Sequence, residues 1–193
     1  MRRACALVAA LVLGPGCALL SKSKPLGVKW YTPDRVVQSL ECRPARTGQT
    51  LRLGRVTSGT DLTELIAHGD GVYRVDYYDD RRWTERPERY VRDTLGRTLF
   101  EACGFQRAVT GIAPTLDVQL LKFQEVTTPS THAVRIALRV TLSKERAIFD
   151  DTVAITEPVV GPRFEDVIGA MGRALDGVAV LVAQRVEAAP STP

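Results

Sequence analysis

The residues whose types and spacing could support chemistry are few: four cysteines, two histidines and two pairs of adjacent carboxylates. Asp79-Asp80 and Asp150-Asp151 are candidates for proton transfer, but neighbours on a strand point to opposite faces, so neither pair makes a ready acid–base couple. They read instead as markers of a helix approach and a strand edge. His68 beside a turn and His132 at a strand start read as surface histidines. No serine sits in a Gly-x-Ser-x-Gly elbow, and no glycine-rich phosphate loop of either kind occurs. Neither histidine is near a cysteine in sequence, so four zinc ligands cannot be assembled by spacing. The sequence therefore assigns no catalytic residue, no metal ligand and no cofactor.

Cys17 carries a different chemistry. Arg2 and Arg3 open a short basic start, residues 4–13 form an uncharged apolar run, and Gly14-Pro15-Gly16 precedes the cysteine. A basic start, a short apolar run and small residues before a cut make a secretory signal. A cysteine directly after them marks the lipidated first residue of a mature chain. Gly14 stands three places before Cys17, where such signals usually carry leucine, and Leu13 lies one place further out. The alternative is an ordinary cleaved signal with a chance cysteine. The run is too short to span a bilayer, which takes about 20 apolar residues.

Cleavage changes the remaining chemistry. Loss of residues 1–16 removes Arg2 and Arg3, lowers the net charge from +4 to +2 and leaves 177 residues. A chain of that size fits one domain that buries roughly 70% of its unfolded surface. It is not basic enough to suggest nucleic acid as a partner. Cys5 leaves with the signal and Cys17 is consumed by lipid, so Cys42 and Cys103 remain. In an exported protein two thiols invite a disulfide, and two separately buried thiols are the alternative.

The organisation expected is a signal over residues 1–16, a lipidated tether over 17–29, a domain over 30–186 and a flexible tail over 187–193. Trp30-Tyr31 starts a short strand. Residues 50–58 alternate as a half-buried strand. Residues 64–68 and 72–78 flank Gly69-Asp70-Gly71, which reads as a tight hairpin turn. Thr84 is positioned to cap a first helix, with Pro87 in its first turn and Gly104 at its close. Three strands follow, the clearest alternating Val134, Ile136, Leu138, Val140 and Leu142 with Arg135 and Arg139. A long helix over 164–186 then carries one apolar stripe, with Gly169, Gly172 and Gly177 where close approach is expected. The fold class is α+β: a mainly antiparallel sheet with two helices on one face, in the order β-β-β-α-β-β-β-α.

One motif has character. Tyr77-Tyr78 leads through Asp79-Asp80-Arg81 to Arg82-Trp83 and a helix started by proline. Either Trp83 plugs the core while Arg82 finds an acidic neighbour, or the segment is an aromatic–basic anchor at an interface, where Trp, Tyr and Arg are enriched. Arg135 and Arg139 point away from the helices and are the candidate docking residues on the open sheet face.

These residues carry a resemblance. The lipoprotein-type signal, the strand LRLGRVTSG, the strand VYRVDYYDD leading into RRWTERPERYVRDTL, and then CGFQRAVTG with two alternating strands resemble the ABC-type transport auxiliary lipoprotein family, whose best-known branch is the paraquat-inducible protein C group. The likeness runs from about Leu51 to Val186. It implies an outer-membrane lipoprotein facing the periplasm, without catalytic activity. Its implied partners are an ABC permease, an ATPase and MCE-domain proteins that move lipid between membranes, and it implies a capacity for ring assembly. The alternative is a structural or assembly lipoprotein outside any transporter.

Overall fold

The computed structural model describes residues 27–33 and 49–189. Cys5, Cys17 and Cys42, with the signal and most of the tether, lie outside them. In chain order the elements are β1 (Lys29–Tyr31), β2 (Thr50–Ser58), β3 (Leu65–Gly69), β4 (Val75–Trp83), α1 (Pro87–Arg97), β5 (Gln106–Arg107), β6 (Thr115–Thr128), β7 (Thr131–Ser143), β8 (Ala147–Pro158) and α2 (Phe164–Glu187). The class is α+β as expected, but four strands precede the first helix and the two-residue β5 follows it.

Among the described residues, all eight strands join one mixed sheet. Its long ladders are antiparallel, β6 with β7 and β7 with β8. On its other side β6 is shared: its first half pairs in parallel with β2 and its second half with β3. β3 continues antiparallel to β4, and β1 lies parallel to β4 at the edge.

The alternation in β7 decides which face is core. Val134, Ile136, Leu138 and Val140 are fully buried beneath the helices. α2 lies across β7 and β8, and α1 lies across β2 and against α2. Val167, Met171, Leu175, Val178 and Val182 of α2 are buried, each contributing about 1.5–3 kcal/mol by leaving water. The α2 start is closed by Asp166, whose carboxylate accepts the Arg163 N–H at 2.9 Å and also favours the positive end of the helix.

Four local expectations are corrected. The α1 cap is Arg86, with Pro87 fixing the first turn; the Thr84 hydroxyl instead pairs with the Tyr90 hydroxyl at 2.7 Å. A π-helical turn at Thr98–Ala102 follows α1 before Gly104 closes it at φ +74. β4 continues through Asp79 to Trp83, so the corner lies after the tryptophan. The β3–β4 connection is not a tight turn but a five-residue loop, 70–74. Of the helical glycines, Gly177 lies where an added Cβ would stand 2.5 Å from Ile155 Cδ1, whereas at Gly169 only the Arg173 guanidinium comes within 4 Å.

Candidate functional site

Side chains of β7 that point away from the helices build an uncovered sheet face. Arg135 pairs across the ladders with Gln124 and Thr156, and Arg139 with Gln119 and Thr152. Arg139 is not a bare cation: its Nε and a terminal nitrogen donate to both Asp150 oxygens at 2.8 and 2.6 Å. This fork holds the Asp150 carboxyl below the usual carboxylate range, mainly through the hydrogen bond. A shallow groove of about 430 Å³ runs here past Arg55, Thr57, Gln119, Arg139, Thr141 and Asp150. Asp150 and Asp151 do face opposite ways, since Asp151 accepts from Arg185 of α2 at 2.5 Å.

The aromatic–basic motif is split by the strand that carries it. Trp83 is fully buried, packed edge-on against Phe123 and Tyr90, and so is closed to any partner. Tyr77 and Tyr78 turn to opposite faces. The Tyr77 hydroxyl donates to the Asp61 carbonyl at 2.9 Å. Arg82 donates to the carbonyls of Tyr78 and Arg81, both at 2.7 Å, so its partners are backbone rather than acidic. Arg81 is the arginine that meets aromatics, its guanidinium 4.5 Å from the Tyr78 ring centre and 4.0 Å from that of Phe164. The six residues therefore do not form one surface; Arg135 and Arg139 remain on the open face.

Sequence reasoning missed Glu125. It is buried at 4% exposure. One carboxylate oxygen accepts the Tyr78 hydroxyl at 2.5 Å and the other meets His132 Nε2 at 2.7 Å. His68 packs on the Tyr78 ring with centres 4.4 Å apart. A buried carboxylate persists only when its oxygens are satisfied by such charge-assisted bonds. The cluster is structural: it pins β4, β6 and β7 together beside the start of α2.

Burial, and then the bond to Glu125, push the Tyr78 hydroxyl well above the ordinary tyrosine range. The folded chain thus keeps a proton that the unfolded chain releases near pH 10. The stabilisation is complete below that pH and is lost as pH rises further. Tyr78→Phe should remove this alkaline component from the pH dependence of unfolding. It should also delete the last-titrating phenolate from the absorbance titration; a deleted phenolate near pH 10 would contradict the buried pairing.

The family model for the ABC-type transport auxiliary lipoprotein component matches residues 43–183. The chain belongs to that family. Its members are transport auxiliary lipoproteins, and the family name places them with an ABC transport system. Among solved structures, a Xanthomonas campestris protein of the DUF330 family is similar at TM-score 0.71 and 16% identity, covering 82% of this chain and 95% of its own. An uncharacterized protein is similar at 0.63 and 13%, covering 81% and 97%. A hypothetical protein from Chlamydia trachomatis is similar at 0.55 and 9%, covering 73% and 96%. At these identities the likeness shows a shared fold. No curated protein matches the sequence. Among the described residues no helix is long and apolar enough to cross a membrane.

Proposed function

We propose that this protein is the outer-membrane-anchored, periplasmic docking subunit of an ABC/MCE-type lipid transport system, held by lipid on Cys17 after removal of residues 1–16. Residues 17–29 serve as the tether, and Cys42 is the partner of Cys103. The observation that carries the docking role is the open sheet face. Both helices cover the other side, and the uncovered one offers Arg135, Arg139, Gln119 and Thr141 beside Asp150. Such a surface suits a partner protein; an acyl chain requires an enclosed apolar site.

The test is co-purification of the anchored chain with the MCE-domain protein, permease and ATPase of the same system. Arg135→Glu combined with Arg139→Glu should reduce recovery of the MCE-domain protein about tenfold, because two charges are reversed on the proposed contact. The fold should persist, since an exposed ion pair such as Arg139–Asp150 contributes little to stability. Undiminished recovery would reject this docking face. A monomer that binds no such partner and carries stoichiometric lipid would make the protein a lipid carrier.

A further inference from the structure

The loop between β3 and β4 presents apolar side chains to solvent: Val72 is 70% exposed and Tyr73 93%, with Val75 beside them. Register places a second apolar side chain at the same end of the sheet. Val75, Gly69, Val126, Ala133 and Pro158 form one row across β4, β3, β6, β7 and β8. The loops that run beyond this row carry Val72 and Tyr73 on one side and exposed Val160 on the other.

The loop is held in shape before anything binds it. Asp70 Oδ1 accepts the backbone N–H groups of Val72, Tyr73 and Arg74 at 2.8, 2.8 and 3.0 Å. Gly71 adopts φ +80 and packs on Val126, where a Cβ would stand 2.9 Å from a methyl. A Cβ on Gly69 would run into the Arg74 carbonyl oxygen. A fixed loop gives up little entropy when its side chains become buried.

The chain enters the fold beside the last residues of β4, with Lys29 opposite Arg81. β1 runs parallel to β4, so residues 27 and 28 precede Lys29 on the side where β4 begins. Residues 18–27 can span at most about 35 Å when fully extended. An anchor at Cys17 therefore leaves residue 27 within about 35 Å of the bilayer surface. Two arginines flank the apolar side chains: Arg74, paired with Asp76 at 3.0 Å, and Arg163, beside Asp166 at 3.5 Å. Both side chains are at least 70% exposed.

We propose that the 70–74 loop, with Val160, is a membrane-seating tip. Val72 and Tyr73 dip into the headgroup region of the bilayer that holds the anchor, while Arg74 and Arg163 meet lipid phosphates. This fixes the orientation of the domain and turns the opposite end, with Val109 and Ile112 in the loop before β6, away from the membrane. The proposal rests on the anchored reading of Cys17, which the same experiment reads separately.

The test uses the full chain in intact cells, with p-benzoylphenylalanine replacing Tyr73 in one variant and Val109 in another. Illumination should give adducts of phospholipid or lipopolysaccharide mass at position 73, about tenfold more than at position 109. Adducts at 73 that are mainly protein, or equal lipid yields at the two positions, would overturn the tip. The mass of the N-terminal peptide reports acylation of Cys17. An acylated chain without the lipid adduct overturns the tip and leaves the anchor. The lipid adduct on a chain with unmodified Cys17 supports the tip and overturns the anchor, and absence of both overturns both.

Discussion

Trp83→Ala should destabilise the domain by about 3–5 kcal/mol, the range for removing a large aromatic from a packed core. The indole is fully buried. Its ring centre lies 5.3 Å from Phe123 and 6.1 Å from Tyr90, both edge-on. Its backbone N–H also donates to the Glu64 carbonyl at 2.7 Å, at the base of the β3–β4 pair. Among the described residues the indole Nε1 is buried without a hydrogen-bond partner. Trp83→Phe should therefore cost much less than Trp83→Ala, because it keeps most of the ring contact and removes an unsatisfied donor. Urea unfolding of the purified mature chain would measure both. Wild-type stability in Trp83→Ala, with loss only of assembly, would return Trp83 to an interface role.

The contrast between Trp83 and its neighbours shows what can be read from sequence here. The motif was recognisable because Tyr and Trp are few and cluster here beside arginines, and the buried role of Trp83 was one of its two readings. Composition alone does not say which neighbours share a face. β4 and β3 slip register between Leu65 and Ala67, and after that slip Arg81, rather than Arg82, stands on the aromatics. β7 was legible in full because its apolar residues alternate without interruption. In β6 the pattern holds from Leu116 to Leu120 and then breaks at a register shift before Lys122. The second half of the strand, which carries Glu125, therefore did not read as a strand. The Glu125 partners come from β4 and β7, 47 positions before it and seven after it, and no local pattern joins them. Sequence alternation places Arg139 on the open face but cannot show Asp150 neutralising it. That pairing leaves the face more polar than basic.

Cys103→Ala should cost about 4 kcal/mol, the chain-entropy value for releasing a closed loop of about 60 residues. Cys103 is 1% exposed and engaged in a disulfide. Its surroundings are firm: its N–H donates to the Thr98 carbonyl at 2.8 Å, and the Phe105 N–H returns to Leu99 at 3.0 Å across Gly104. On the proposed reading, in which Cys5 leaves with the signal and Cys17 is acylated, Cys42 is the cysteine left to pair with it. The loop so closed would contain β2, β3, β4 and α1, a large part of the sheet and the helix that covers it. A bond has a signature that two independent thiols lack. Cys42→Ala should cost nearly as much as Cys103→Ala, and the double variant little more than either, because both remove the same constraint. Reducing agent should lower wild-type stability and leave each single variant unchanged. Additive losses, or a neutral Cys42→Ala beside a costly Cys103→Ala, would show that Cys103 takes its strength from packing or from another cysteine.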